Sequence, residues 1–442
     1  MIKEDNSQSQ LTKNVVSLTV VQIANYVLPL ISVPIIVRII GPDSYGIINF
    51  AAVFVTYFSL LINYGFEFTA TRKIARDPDN EENRNKVISE VFFTQCILFA
   101  FAAIVCFILV NTVPALIEQR RIIFYSFLVC IGALFTQDWL FQAMQDLTRI
   151  AILNFLSKLI FTVLILFLIQ SKEDYFWQPL LMGLIQIGVG LLSFFWAFKR
   201  YNVKLSRVSL KSCFYLLYEE KMIFFSLIVI SLYTTTNTFI LGLYQSAEQV
   251  GFYTAGQRLI LIAQAVLTIP LAKAFYPYIG KSFGENFDKG IKITSKLIPV
   301  IVFITGFAAL GMFILGPWVI TIFYGEAFSD AIPVFQILAF IPFLVALSNV
   351  FGIQIMMNLG MDKAFFLITA AGAVISITFN VIFIRQWGYI GTAFNWLVTE
   401  LFIVAAMYLF LRRKNIDPIN LSYFRASVIR NGFLEIKRKL YK

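Results

Sequence analysis

Seven ionisable side chains lie inside or at the edges of stretches that are otherwise apolar, and these are the positions at which chemistry would be done. They are the cations Arg38, Lys158 and Arg258 and the carboxylates Glu67, Glu90, Asp138 and Glu400. A charged group in lipid is costly and normally faces a water-filled cavity or an opposite charge. The cations therefore indicate a cavity that attracts an anionic group, and the carboxylates indicate either ion coupling or structural ion pairs.

The two arginines differ in depth. Arg258 lies roughly 10 Å into its apolar stretch, counted from Gly251 at about 1.5 Å per helical residue. This depth hinders snorkelling, so Arg258 either lines a cavity or forms an ion pair within the bundle. Arg38 lies about one turn from the outer end of its stretch, where it either lines the cavity or reaches the interface. A guanidinium binds phosphate oxygens with a planar fork of donors, which makes a pyrophosphate a fitting anion.

The remaining polar candidates each allow two interpretations. Lys158 and Asp138 fall at similar depth on consecutive predicted helices; they form a salt bridge, or Lys158 faces the cavity. Glu400, in the middle of the last stretch, is the best protonatable carboxylate, with a structural ion pair as the alternative, so H+ or Na+ coupling stays open. Asn25 and Asn63 offer hydrogen bonds to hydroxyl-rich cargo, although Asn also bridges helices.

Composition sets the broad class. Hydrophobic residues make up 59% of the 442 residues and charged residues 14%, against roughly 45–50% and about 25% in soluble domains. A water-soluble fold cannot hide so much apolar surface, so membrane lipids are the expected surroundings. This excludes a cytosolic enzyme, a secreted disulfide scaffold and a nucleic-acid-binding module. Histidine is absent, and no phosphate-binding glycine loop, zinc spacing or Ser/His/Asp set occurs, so we expect no catalysis, cofactor or metal.

The apolar stretches predict an all-α integral membrane protein of about twelve transmembrane helices. The stretches are 15–40, 47–66, 87–110, 121–142, 150–170, 178–198, 222–245, 250–272, 297–316, 333–357, 364–384 and 389–411. With the N-terminus inside, the cytoplasmic segments hold 29 Lys and Arg, the outer loops hold four, and three lie within the spans. This bias places both termini in the cytoplasm.

The chain also predicts two similar halves. Asp43 to Ile48 opens the second stretch and Glu248 to Tyr253 opens the eighth, 205 residues later, each with an acidic residue three positions before a glycine. Parallel repeats of this kind are typical of transporters whose two bundles rock against each other. The predicted organisation is a cytoplasmic N-terminus at 1–14, a six-helix lobe at 15–198, a basic linker at 199–221, a second six-helix lobe at 222–411, and a basic amphipathic tail at 412–442 on the inner leaflet.

Four segments, in order, resemble the motifs of bacterial polysaccharide-repeat flippases. They are VRIIGPDSYG from Val37 to Gly46, NYGFEFTATRKIA from Asn63 to Ala75, DWLFQAMQ from Asp138 to Gln145, and the stretch from Leu241 to Ala255. In the third, Ala143 and Gln145 replace the usual glycine and acid. The chain is thus similar to the Wzx-type branch of the multidrug/oligosaccharidyl-lipid/polysaccharide exporter superfamily, over about residues 10–410.

The resemblance implies a MATE-like fold and a function. Members of the branch are thought to move undecaprenyl-pyrophosphate-linked oligosaccharides from the inner to the outer leaflet of the bacterial inner membrane, beside a polysaccharide polymerase and a chain-length regulator. Arg38 falls on the first-helix arginine of the family, and Arg258 on a basic position in the eighth helix. The alternatives are a MATE-type drug or cation antiporter, which is expected to hold a carboxylate in the first helix, and a flippase for a cell-wall lipid precursor. The stretch 15–40 has no carboxylate.

Overall fold

The computed structural model describes residues 2–424, except for the side chains at 2–27, 29–31, 147, 230, 233–234 and 269–278. Fifteen α-helices and no strand occur in this range. The helices are α1 (Ile2–Asn63), α2 (Phe66–Ala75), α3 (Glu81–Thr112), α4 (Pro114–Ile117), α5 (Arg120–Phe135), α6 (Asp138–Ala143), α7 (Leu147–Leu168), α8 (Trp177–Arg200), α9 (Leu210–Thr234), α10 (Thr236–Tyr244), α11 (Ala247–Glu285), α12 (Phe287–Tyr324), α13 (Ile332–Leu338), α14 (Ile341–Asn349) and α15 (Asp362–Arg413). The all-α prediction is confirmed.

Two of the helices contain a glycine kink. Gly41 interrupts α1 with φ 75° and ψ 173°, and Gly388 interrupts α15 with φ 56° and ψ −136°. Both glycines fall in the short gaps between predicted apolar stretches. A positive φ is readily adopted only by glycine, so each kink turns the chain without a separate loop. Nine helical segments in the described part are long and apolar enough to cross a membrane. One of them, Ser32–Ala75, contains Gly41, and another, Asp362–Arg413, contains Gly388.

The chain forms two compact units. One consists of Met1–Ser231 together with Ser246–Gly251, and the other of Leu232–Gln245 together with Phe252–Lys442. The short segment Ser246–Gly251 therefore packs in the first unit although both of its neighbours in sequence belong to the second. The end of the predicted tail, residues 425–442, lies outside the described residues.

Glycines bring α5 and α8 of the first unit into close contact. A Cβ atom added to Gly132 would lie 2.5 Å from Cγ of Gln186, and one added to Gly190 would lie 2.5 Å from the carbonyl oxygen of Gly132. Small residues of this kind let helix backbones approach in lipid, where burial of apolar surface gives no driving force. The backbone N–H of Gln137 then donates to Oγ of Ser193 at 3.0 Å, which fixes the end of α5 on α8.

The connection from α8 to α9 is bonded to the first unit. Arg84 on α3 donates to the carbonyl oxygen of Tyr201 at 2.8 Å, the N–H of Lys204 donates to Oδ1 of Asn85 at 3.0 Å, and the N–H of Ser206 donates to Oγ of Ser89 at 2.9 Å. The helix α9 begins at Leu210, well inside the predicted linker 199–221. Half of that linker is therefore ordered helix.

The second unit contains a broken helix. The predicted stretch 333–357 comprises α13, α14 and a π-helix, Val350–Met357. Gly352 in the π-helix faces the ring of Phe365, since a Cβ there would lie 2.6 Å from Cε2 of that ring. The core of this unit is centred on fully buried Ile355 and Leu411. Pro342 is the second residue of α14, where proline is tolerated because the first turn leaves its N–H groups unpaired.

The two repeat segments contact each other reciprocally within the first unit. A Cβ added to Gly46 would lie 1.7 Å from the carbonyl oxygen of Ala247, and one added to Gly251 would lie 2.0 Å from the carbonyl oxygen of Pro42. Pro42 corresponds to Ala247, and Gly46 to Gly251, at the same offset of 205 residues. A contact in which each partner presents the same two positions is the arrangement of a local two-fold axis. The glycines of the repeat are thus explained by close backbone approach.

We predict that Gly46→Ala and Gly251→Ala each destabilise the protein by about 1–3 kcal/mol or more, because the new methyl group overlaps a backbone oxygen that cannot rotate away. Gly188→Ala is the matched control, since a Cβ at Gly188 meets no atom within 4 Å and alanine favours the helix. Thermal unfolding of the detergent-purified variants measures the effect. Equal melting temperatures for Gly46→Ala and Gly188→Ala would contradict the reciprocal contact.

Candidate functional site

Arg258 is exposed on a helix segment that is otherwise buried. Residues 251–257 and 259–260 of α11 are all buried, and Arg258 alone in the run 251–260 is exposed. The helix is held by its neighbours: Thr238 on α10 donates to Oε1 of Gln257 at 3.3 Å, and Nε2 of Gln257 donates to the hydroxyl of Tyr253 at 3.4 Å. The guanidinium is therefore presented by a rigid, well-packed turn.

Arg38 occupies the last turn of α1 before the kink at Gly41. Its side chain is exposed, while Val37 and Ile40 beside it are buried. The kink and the reciprocal glycine contact follow directly in sequence, so the position of Arg38 is tied to that contact. Asn25 lies on the same helix, and its side chain is outside the described part.

The two carboxylates predicted in the first unit come together. Asp138, the first residue of α6, accepts a hydrogen bond from the side chain of Asn154 on α7, and Glu67 on α2 is close enough to interact with it electrostatically. The hydroxyl of Thr71 donates to the carbonyl oxygen of Trp139 at 3.0 Å, which holds α2 against α6. Asn154, which the sequence analysis did not single out, is the residue that joins α7 to this pair.

Lys158 is half-buried on α7, one turn beyond Asn154. The i, i+4 spacing puts the two side chains on one face of the helix. Asn63 is half-buried at the end of α1, next to Tyr64, whose hydroxyl donates to the carbonyl oxygen of Leu217 at 3.1 Å. The bond of Tyr64 holds α9 in place.

A network of neutral polar side chains is buried in the second unit. Nδ2 of Asn395 donates to Oδ1 of Asn237 at 3.1 Å and to Oγ of Ser376 at 3.1 Å. Oγ of Ser376 donates to Oδ1 of Asn237 at 3.3 Å, and Nδ2 of Asn380 donates to the Asn237 carbonyl oxygen at 3.4 Å. Asn237 is 2% exposed, and its hydrogen bonds join α10 to both halves of α15. The i, i+4 spacing of Ser376 and Asn380 is the only trace of this network in the sequence.

Glu400 lies in the middle of the second half of α15 and is almost fully buried, with 6% of its surface exposed. The indole N–H of Trp396, one turn earlier, donates to it. No salt bridge found among the described residues involves Glu400. A carboxyl group so placed is able to carry a proton, and its role stays a prediction.

Asp146, which precedes α7, forms salt bridges with an arginine in the first turn of α7 and with the last residue of α8. Oδ2 of Asp146 lies 2.5 Å from Nε of Arg149 and 2.8 Å from Nε of Arg200. The hydroxyl of Tyr201 donates to the same oxygen at 3.2 Å. Burial, followed by the charge of Asp146, raises the pKa of Tyr201 to about 12, so this hydroxyl stays protonated and remains a donor. The cluster joins the start of α7 to the end of α8 through Oδ2 of Asp146.

Over the described residues, no group of three or more His, Cys, Asp and Glu side chains is placed to hold a metal ion. The free thiols Cys106 and Cys130 are buried, and Sγ of Cys130 lies 3.3 Å from Oγ of Ser59. The two units carry two exposed arginines, Arg258 and Arg38, together with the half-buried Asp138 and the buried Glu400.

Comparison with known proteins identifies the family. The family model described as "Polysaccharide biosynthesis protein" matches residues 11–283, which is more than half of the chain. The chain therefore belongs to the polysaccharide biosynthesis protein family. This confirms the resemblance found in the sequence motifs.

Two similar proteins align with most of the chain. A "Putative O-antigen transporter" of Escherichia coli (strain K12) is 27% identical over 93% of this chain and 99% of its own length. A protein of the same name from Shigella dysenteriae is 26% identical over 90% of this chain and 99% of its own. Each relative therefore aligns with this family member over at least 90% of its length.

Two solved structures share the fold. One is "Lipid II flippase MurJ, inward closed conformation", with a TM-score of 0.73, 13% identity, and coverage of 94% of this chain and 91% of that one. The other is an inward-facing multidrug resistance MATE family transporter of the MOP superfamily, with a TM-score of 0.71, 16% identity, and coverage of 91% and 98%. This family member is thus a multi-pass membrane protein with a MATE-like helical fold.

We predict that Asn237→Ala lowers the free energy of unfolding by about 1–3 kcal/mol, because Asn395 and Ser376 lose their buried acceptor. Asn111→Ala is the matched control: Asn111 is an exposed residue on α3 that donates to the carbonyl oxygen of Phe107. Chemical unfolding in detergent compares the two. A loss at Asn237 no larger than that at Asn111 would show that the network does not stabilise the second unit.

Proposed function

We propose that this protein is a flippase for lipid-linked oligosaccharides, carrying undecaprenyl-pyrophosphate-linked repeat units from the inner to the outer leaflet of the bacterial cytoplasmic membrane. The similarity to two putative O-antigen transporters, over 93% and 90% of this chain, supports the cargo class. The fold shared with a lipid II flippase is compatible with a lipid-linked substrate. No bond is made or broken in such a transfer, so the protein is not an enzyme.

The observation that carries the proposal is the exposure of Arg258 on a helix whose neighbouring residues are buried. Removing a guanidinium from water at this depth costs free energy unless the group contacts water or an anion there. The pyrophosphate of the cargo is such an anion, and it matches the planar fork of arginine. Arg38 and Lys158 add positive charge, and Asn63 and Asn25 add neutral hydrogen bonds, in a cationic cavity.

The proposed mechanism is alternating access. In this proposal the protein has twelve spans in two six-helix lobes, with both termini in the cytoplasm. The nine apolar segments become eleven when Ser32–Ala75 and Asp362–Arg413 are each divided, at Gly41 and Gly388, and α9 is counted as the twelfth span. Glu67, Asp138 and Glu400 are the groups through which H+ or Na+ would be coupled. A polysaccharide polymerase and a chain-length regulator are the proposed partners on the outer side, where the cargo is consumed.

We predict that Arg258→Ala lowers the export of surface glycan by about 10- to 100-fold, since a charge-assisted hydrogen bond to an anion is worth roughly 1.5–3 kcal/mol. Arg258→Lys keeps part of the activity because it keeps the charge and loses the fork. Lys363→Ala, at the exposed start of α15, is the control. The measurements are surface glycan and the undecaprenyl-linked intermediate trapped on the inner side, with membrane insertion verified for each variant. Wild-type export by an inserted Arg258→Ala protein would remove Arg258 from the mechanism.

We predict that expression in a host lacking drug pumps gives no gain in resistance to cationic drugs, because the cavity is cationic and repels such cargo. Deletion of the gene in its own host traps the glycan intermediate instead. A clear gain in resistance, with normal glycan export in the deletion strain, would favour a MATE-type antiporter.

A further inference from the structure

The first half of α9 presents an apolar stripe that no other part of the described chain covers. The stripe consists of side chains that are each more than half exposed: Leu210, Phe214, Tyr215, Tyr218, Met222 and Phe225. Four of them recur at every fourth position, which places them along one side of the helix. Four consecutive turns of exposed aromatic and aliphatic surface are unusual for a segment that faces water.

The opposite side of α9 is fastened to the first unit. Nζ of Lys73 on α2 lies 2.9 Å from a carboxylate oxygen of Glu219 and 2.9 Å from one of Glu220. The ring of Tyr64 stacks on the ring of Phe224, with centroids 4.2 Å apart. Because these contacts set the rotation of the helix about its axis, the apolar stripe cannot turn inward.

Positive charge surrounds the stripe. Exposed Lys204, Arg207 and Lys211 precede or begin α9, and Nζ of Lys221 lies 3.4 Å from the centre of the Tyr218 ring. The segment 199–222 holds no acidic residue except Glu219 and Glu220, and Lys73 is shared between these two. The stripe is thus an apolar band bordered by cations.

We propose that this stripe is a binding surface for anionic phospholipid, with its aromatic side chains in the head-group region and its basic residues on the phosphates. An amphipathic helix with aromatic residues on one face and Lys or Arg beside them has the composition of an interfacial helix. The stripe also continues through Met222 and Phe225 into an apolar stretch long enough to span the bilayer. This continuity favours lipid over a water-soluble protein partner. The proposal does not depend on the cargo.

Photocrosslinking in a bilayer tests the occupant. The full-length protein carries benzoylphenylalanine in place of Phe214 and is reconstituted in nanodiscs of equal parts phosphatidylcholine and phosphatidylglycerol. We expect lipid adducts that are enriched in phosphatidylglycerol, and no adducts from a probe at Asn286, an exposed residue in the loop before α12. Crosslinks to a second copy of the chain, or no lipid adduct at Phe214, would overturn the proposal.

A variant that lacks the basic residues beside the stripe tests whether they select anionic lipid. The triple variant Lys204→Ser, Arg207→Ser, Lys211→Ser is expected to reduce the preference for phosphatidylglycerol by at least about tenfold, given about fivefold for each cation near an anionic surface. The matched control, Lys281→Ser, Lys292→Ser, Lys296→Ser, removes three exposed cations elsewhere and is expected to keep the preference. Both variants are first shown to unfold at the wild-type temperature. An unchanged preference in the first variant, or an equal loss in both, would refute the proposed surface.

Discussion

The first unit depends on a backbone contact that leaves no room for side chains. The carbonyl oxygen of Ala247 occupies the place where a Cβ at Gly46 would lie, and the carbonyl oxygen of Pro42 occupies the place where a Cβ at Gly251 would lie. These positions are equivalent in the two halves of the sequence, so one geometric requirement fixes residues 205 positions apart. Arg38 precedes one copy of the contact and Arg258 follows the other, each within about two turns.

The lipid surroundings explain the rest of the architecture. Because apolar burial gives no net gain in a membrane, helix contacts rely on glycine, as between α5 and α8, and on hydrogen bonds, as around Asn237. Several charges are paired in compact groups, with Asp146 between Arg149 and Arg200 and Lys73 between Glu219 and Glu220. Arg258 departs from this pattern because its exposed side chain stands in an otherwise buried run.

The sequence predicted the class of fold, the family and the approximate spans, because hydropathy and short motifs are local properties. It also predicted that Gly46 and Gly251 are equivalent, although the reason required the contact itself. It missed the helix α2, the early start of α9 and the break between α13 and α14, since propensity alone does not locate ends in uniformly apolar or mixed stretches. Asp138 and Glu67 were named separately; only the packing of α2 on α6, and the bond from Asn154, shows that they form one cluster. The positions of Arg38, Lys158, Asn63 and Glu400 in a transport path remain predictions.

The buried network around Asn237 has an electrical consequence. Its members Asn237, Ser376, Asn380 and Asn395 carry no net charge. A membrane voltage does work only on charge that is displaced through it, about 2.3 kcal/mol per elementary charge for each 100 mV. The contact between α10 and α15 can therefore rearrange without moving net charge through the membrane voltage. Voltage then acts on ionised groups that change depth in the membrane, and Arg258 on α11 is an exposed ionised side chain of this kind.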